Sequence, residues 1–390
     1  MSNNFTKTTS VSWFERIKQS VIGALIGVLL VVGAVVLLFW NEGRAVTTAR
    51  SLAEGASAVV TVSSEAISAA NDGKLVHTSG TVTTDETPTD EEFGVEAKGI
   101  RLVRTVEMYQ WHEATSHETK KNIGGGEDTV TNYTYSTDWS EDAVDSSKFE
   151  FAQDHDNPSM DISSGTSQVS EAQLGAFALG QAVLDQVGGD EPLKVSSAQQ
   201  GAIEAAYTGS AKLSLADGGI YLGNDPKKPV VGDYRVRYKL VPLGDISVIA
   251  KQYGNSFEGY QTKAGDELLL VERGKVSADK MFANAVSENN ILSWILRAVG
   301  LVVLMIGFAM IMEPIGVIAD VIPFLGDIAR LGTGLAAFLF TIIVGTVTIA
   351  IAWFYYRPLL AIGVVVVGVA LTVALLRFFK ARKQAAVAPA

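Results

Sequence analysis

The sequence predicts an integral membrane protein with four transmembrane helices and a large mixed α+β, strand-rich extracytoplasmic domain between the first and second spans. Three observations predict it. Charge-free apolar runs of about 20 residues, the length needed to cross about 30 Å of hydrocarbon, recur along the 390-residue chain. Charge is segregated: Asn41 to Leu296 carries 38 Asp/Glu against 21 Lys/Arg, and the remainder 4 acids against 10 bases. Within the acidic stretch, apolar and polar residues alternate with the period of strands. Such a stretch between basic, apolar ends reads as a water-soluble domain between spans, and it offers no basic footprint for nucleic acid. The absence of cysteine excludes disulfides, thiolate metal sites, iron–sulfur clusters and cysteine nucleophiles.

Each element follows in order. Residues 1–20 precede the first helix, Val21–Trp40, which has no charge and fourteen Val, Ile, Leu or Phe residues. If each contributed as at a helix centre, insertion would gain roughly 4 to 8 kcal/mol. The run is longer than a signal-peptide core and no small-x-small site follows Trp40, so it is expected to stay as an anchor. Residues 41–290 form the outer domain. Ile291–Met312 is the second span, and Arg297 near its end is expected to snorkel to the headgroups. Residues 313–330 are a cytoplasmic interfacial loop, Leu331–Tyr356 a third span, Pro358–Leu376 a fourth, and 377–390 a basic tail. Arg357-Pro358 alone separates the last two spans, which requires a tight helical hairpin with Trp353, Tyr355 and Tyr356 as its aromatic belt. Lys7, Arg16 and Lys18 precede the first span, and Arg377, Lys380, Arg382 and Lys383 follow the last. The basic-flank rule then places both termini in the cytoplasm and the domain in a periplasm or organelle lumen.

In the domain, Thr129–Trp139 places Tyr133, Tyr135 and Trp139 on one face and Asn132, Thr134, Ser136 and Asp138 on the other. Ile100–Trp111 and Asp233–Val241 alternate likewise, and Gly124-Gly125-Gly126 reads as the tip of a long hairpin. A helix is expected from Ser170. Gln173 completes a capping box with it, Val169 and Leu174 form a staple, and Ala172, Ala176, Leu179, Val183 and Val187 recur along one face until Gly188-Gly189 stops it.

Catalytic, cofactor and metal motifs are not found. His112 and His117 have poor spacing for a helical ligand pair and are expected to flank an exposed loop; His155-Asp156-Asn157-Pro158 reads as a turn. No nucleophile elbow or Walker sequence occurs. More informative is the stripe Glu313, Asp320 and Asp327, each seven residues from the next among Ile315, Ile318, Val321, Ile322, Phe324 and Leu325. Pro314, Gly316, Pro323 and Gly326 argue against one smooth helix, so the segment is expected to lie in the interface, with Arg330 pairing Asp327. The alternative is an acidic ring lining an oligomeric pore. Gly23 and Gly27 form a small-xxx-small pair for close helix contact within or between subunits.

Several separated stretches carry a resemblance. They are Asn41-Glu42-Gly43-Arg44-Ala45 with Ser51-Leu52-Ala53-Glu54-Gly55, Val106-Glu107-Met108-Tyr109-Gln110-Trp111, the Tyr133-x-Tyr135 to Trp139 strand, Asn157-Pro158, Val231-Gly232-Asp233, and Trp353-Phe354-Tyr355-Tyr356-Arg357-Pro358-Leu359. In this order they resemble the transmembrane protein 43, or LUMA, family over nearly the whole chain. The resemblance implies four spans, a large luminal or periplasmic domain, self-association and no established catalytic residue. Animal members reside in the endoplasmic reticulum and inner nuclear membrane and are linked to lamin- and emerin-containing assemblies. The Ala/Gly/Val-rich, cysteine-free composition here looks more like a bacterial member, placed in the cytoplasmic membrane and without a lamina to bind.

Three functions therefore stay open: an oligomeric membrane-organising scaffold, in contact with lipids and other membrane proteins; an ion channel with an acidic cytoplasmic constriction; and a periplasmic ligand-binding or hydrolytic domain on an anchor. Because the outer domain has neither cysteine nor a ligand cluster, Ser51–Glu288 expressed alone is expected to melt cooperatively, with a melting temperature indifferent to chelator; calorimetry with and without EDTA checks it.

Overall fold

The structure, a computed structural model, describes residues 4–359, 361–363 and 366 and divides into two compact units. The first comprises the residues up to Thr9, Ser51–Thr119 and Thr129–Asn284; the second comprises Ser10–Arg50, Lys120–Asp128 and the chain from Ala285 onward.

The first unit is built on two sheets. In the eight-stranded one, the long strands Arg101–Lys121 and Glu127–Ser140 are neighbours, with the N-terminal strand Asn4–Val11 on the outer edge of the second. Tyr234–Val241 pairs antiparallel with the first in the register Tyr234↔Met108 to Val241↔Arg101. The alternation expected of these strands holds: Tyr234, Val236 and Tyr238 are buried with Val106 and Met108, while Arg237 and Lys239 face water. In the seven-stranded sheet, Asp245–Tyr253 lies between Leu75–Thr83 and Ser256–Glu258, over a core that includes Val76, Leu174, Phe177, Val248 and Phe257.

The helix expected from Ser170 does not form. Ala172–Leu174 and Phe177–Leu179 are instead two short antiparallel strands, joined across Gly175 at φ +62°, and only Gln181–Leu184 is helical. Ala172, Leu174, Phe177 and Leu179 are all buried, a period of two that coincides with a helical face at Ala172 and Leu179. Gly175 also presses against the Ser64 backbone, so a side chain there would clash. His112 and His117 lie on the long strand Arg101–Lys121, not beside a loop.

The second unit is organised by three helices long and apolar enough to cross a membrane: α1 (Trp13–Ala58), α4 (Ala278–Ala319) and α5 (Pro323–Tyr356), where α2 (Gln181–Leu184) and α3 (Gln200–Ala206) are the short helices of the first unit. Each outlasts the apolar run that nucleates it; α1 continues beyond Trp40 to Ala58. Large apolar side chains point outward, among them Leu25, Val32, Ile306, Phe338 and Phe354. A helix apolar on all sides has lipid for its solvent. Glycine lets the helices approach. A Cβ on Gly27 would lie 2.6 Å from the Gly307 carbonyl, and one on Gly300 would meet Leu38. The small pair Gly23 and Gly27 therefore serves contact within the chain, since Gly23 faces Met310 as well.

The segment 313–330 also differs from expectation. Pro314 sits inside α4 without ending it, and the break comes at Asp320–Ile322. Pro323, the first residue of α5, sets it: a proline disfavours helical backbone at the residue before, and Ile322 is extended at φ −118°, ψ 107°. Past α5, Arg357 is non-helical and helix resumes at Pro358; most of the fourth expected span and the basic tail lie outside the described residues. A Gly27→Ala variant is expected to lose about 1–3 kcal/mol through forced overpacking, whereas Gly33→Ala, with nothing within 4 Å of its added carbon, should be neutral or slightly stabilising. Thermal unfolding of the two variants in detergent checks the contrast.

Candidate functional site

The helical unit closes at one end on a charged cluster. Asp320 is wholly buried, and a bare carboxylate there would be prohibitively costly. The fold answers it with three cations from three stretches of chain. Arg330 donates to both its oxygens at 2.7 and 2.5 Å, Arg16 donates to Oδ2 at 2.6 Å, and Lys121 lies 3.4 Å from Oδ1. Burial works against the charge, but the hydrogen bonds from Arg330 and Arg16 and the nearby Lys121 overcome it and hold the carboxyl at about 2.

Local geometry delivers each partner. Arg16 stands on the first turns of α1, with Nη1 on the Gly125 carbonyl at 2.5 Å, while Nη2, which binds Asp320, also lies 3.0 Å from Glu127. Lys121 enters at the hairpin tip, where Gly124 and Gly125 adopt φ +94° and +82°, values that favour glycine. The tip is fastened at both sides: the Gly124 amide donates to the Val321 carbonyl at 3.1 Å, and the Trp13 ring lies against Gly125 while its indole donates to the Val317 carbonyl at 2.9 Å. Gly326 completes the pocket, because a side chain there would collide with the Asp320 carboxylate.

The expected acidic stripe is thus divided. Asp320 is the hub, Asp327 is exposed and paired with Lys121 at 2.7 Å, and Glu313 is half-exposed at 3.6 Å from Arg330. The stripe fails as a helical face because the turn at Asp320–Ile322 breaks the period between the first and last acids. Arg330 prefers Asp320 to Asp327, which lies 4.0 Å away.

A second ion pair closes the opposite end of the same unit. Glu42, with no exposure, accepts both guanidinium donors of Arg297 at 2.6 and 2.9 Å and the Trp353 indole at 2.9 Å. Arg297 is thus paired within the helical unit, and Trp353, half-buried, donates to the same carboxylate. Arg44 beside it binds Asn289, Asn41 and Ser293 side chains, but its Nε is buried without a partner among the described residues. The sequence holds a signal for the Glu42 pair: an acid stands just past the first span and a base just inside the second, as antiparallel neighbours require.

Other buried polar groups are held by neighbours within the first unit. His155 is buried, donates from Nδ1 to the Phe151 carbonyl at 3.1 Å and stacks on Tyr135 at 4.1 Å. Burial, with the hydrogen bond to Glu113, pushes the Tyr135 phenol up to about 12. Asn157 accepts the Trp111 amide and donates back to the Trp111 carbonyl. A cavity of about 160 Å³ lies between Thr89–Glu91 and Gly165–Ser167, but its Asp90 is already held by Arg104 at 2.7 Å and Tyr238 at 2.6 Å. Among the described residues no group of three His, Cys, Asp or Glu is placed to hold a metal.

Asp320→Asn is expected to destabilise the helical unit by about 3 kcal/mol, the low end for removing one charge of a buried pair, because Arg330 and Lys121 retain some water. The wild-type carboxyl is depressed from an unfolded value of about 3.9. Its stabilisation is therefore present above about pH 4 and is lost as the pH falls toward 2, a component the variant lacks. Acid titration of both proteins in detergent, followed by circular dichroism, checks this.

The family model described as Transmembrane protein 43 matches residues 108–358. The chain is 32% identical to Transmembrane protein 43 of Homo sapiens over 378 residues, 94% of this chain and 92% of that protein. It is 31% identical to the Rattus norvegicus protein over 91% of this chain and 90% of that one, and 29% identical to the Drosophila melanogaster homolog over 88% and 92%. No solved structure matches it.

Proposed function

The chain belongs to the transmembrane protein 43 family, and from that premise we propose that it is a non-enzymatic, membrane-organising scaffold that works as a homo-oligomer. The observation that carries this reading is the internal pairing of the buried acids in the helical unit. Asp320 and Glu42, its two wholly buried carboxylates, are both bound by guanidinium groups of the same chain. A bundle whose two buried carboxylates are both answered internally suits a dry structural role. Its outward apolar side chains suit contact with lipids and with other membrane proteins, and the acidic strand-rich domain suits no nucleic acid. The cysteine-free, Ala/Gly/Val-rich composition favours a bacterial cytoplasmic membrane, although the relatives compared are animal proteins.

A channel is the second reading, favoured by Glu313 and Asp327, which keep 47% and 68% of their side chains exposed where a ring of subunits could gather them. The double variant Glu313→Gln, Asp327→Asn separates the two readings while leaving buried Asp320 in place. Reconstituted in planar bilayers, wild type and variant are both expected to conduct nothing and to keep the same oligomer size. Cation currents in the wild type that the variant abolishes would replace the scaffold with the channel.

A further inference from the structure

The outward face of the helical unit carries a groove. Near the end that holds Glu42, a space of about 370 Å³ opens between α1 and α5, within the range of about 300–1,000 Å³ usual for small-ligand sites. Val36, Phe39 and Trp40 line it from α1, and Thr348, Ile351 and Tyr356 from α5. Thr348 returns its hydroxyl to the Val344 carbonyl at 2.7 Å, so the wall it adds is apolar. The Tyr356 ring lies over Gly43, where a Cβ would come within 2.6 Å of it, and meets the Phe39 ring at 5.3 Å. Val36, Trp40 and Ile351 are each more than half exposed, which on helices apolar all round means exposed to lipid chains.

Cations gather at the same end without acids to answer them. Arg44, Arg50, Arg297 and Arg357 stand there against Glu42 and Glu288. Glu42 is consumed by Arg297 and the Trp353 indole, and among the described residues Glu288 makes no ion pair. Arg44 binds only neutral side chains. Arg50, itself exposed, reaches back to the last turn of α5 and donates Nη2 to the Tyr356 carbonyl at 2.9 Å, which puts its guanidinium beside a residue that lines the groove. Arg357 follows Tyr356 directly, and among the described residues neither Arg50 nor Arg357 has a carboxylate partner.

We propose that this groove is a binding site for an anionic phospholipid, with an acyl chain along Val36, Phe39 and Ile351 and the phosphate at the end marked by Arg50 and Arg357. The chemistry of each part selects this occupant. An acyl chain is the solvent that the apolar walls already require, and Trp40 and Tyr356 are the residue types enriched at headgroup level. Guanidinium groups bind phosphate through paired donors, and basic pockets between membrane helices hold anionic headgroups. A second copy of the chain is disfavoured at this face, because copies inserted in one orientation would bring arginine against arginine. A zwitterionic lipid fills the groove equally well but carries its own cation, so charge is what discriminates. The site stands whether the chain serves as scaffold or channel; it asks only that the helical unit be in a bilayer.

Native mass spectrometry of the full-length protein in detergent, titrated with dioleoyl phosphatidylglycerol or dioleoyl phosphatidylcholine, tests this first without any substitution. Wild type is expected to retain phosphatidylglycerol about 25-fold more tightly, roughly fivefold for each arginine. Equal retention of the two lipids would reduce the groove to ordinary lipid contact and overturn the proposal. Arg50→Gln combined with Arg357→Gln should abolish the preference, while Lys18→Gln, at an exposed cation near the start of α1, should keep it. A preference that survives the double variant, or that falls equally in Lys18→Gln, would overturn it too. Ile351→Trp leaves both arginines in place and fills the groove from an exposed position, so it serves even should the double variant not fold. It should weaken retention of phosphatidylglycerol severalfold with an unchanged circular dichroism spectrum; unchanged retention would count against the groove. Inorganic phosphate in large excess should not displace the lipid, and displacement would show an anion site with no use for the acyl chain.

Discussion

A carboxylate removed from water must be answered by cation, and at Asp320 the answer is drawn from residues 16, 121 and 330. The start of α1, the hairpin tip and the start of α5 have no other reason in their sequences to meet. Once they do, the surrounding geometry is constrained: glycine at 125 for the Trp13 ring, glycine at 326 for the carboxylate, positive φ at the tip so that amides and carbonyls reach their partners. Removing the acid would strand cations; removing any one cation would leave the acid still held by two. The asymmetry makes the acid the more sensitive member.

The Glu42 pair differs in kind. There a single guanidinium meets the carboxylate with two parallel donors, and an indole adds a third donor on Oε2. Fork-to-fork geometry fixes orientation as well as proximity, so it sets the rotation of α1 against α4, while glycines at 27, 300 and 307 set their separation. Together they specify one packing of helices whose outward faces carry little information.

What the sequence reveals follows the range of the interaction responsible. Strands with one face buried announce themselves by alternation, and Tyr133, Tyr135, Trp139, Tyr234, Val236 and Tyr238 were legible for that reason. Three of the four expected spans were legible too, since lipid demands long apolar runs. The segment after Ser170 was misread because short buried strands joined by a tight glycine turn can mimic a helical stripe when alanine and leucine fall at both periods. The acidic stripe was seen as three equivalent residues; only Asp320 turned out to be a hub, because rank among acids depends on cations 304 residues away in one case and 10 in another. Arg297 was treated as a lone charge near a membrane end, and its partner Glu42 was left unassigned although it stands inside one of the stretches that carry the resemblance.

The separation of Glu42 from Arg297 has a consequence for biosynthesis. They are 255 residues apart. At a synthesis rate of about 5–20 residues per second, the carboxylate emerges roughly 10–50 s before its guanidinium. During that interval α1 is already apolar enough to leave water, so Glu42 must wait hydrated at the headgroup level. Arrival of α4 then draws it inward, and the helix pair locks late. An insertion chaperone that shields a lone acid at the interface would act in this window, and a ribosome stalled within the strand-rich domain would leave the anchor in the membrane with its key still missing.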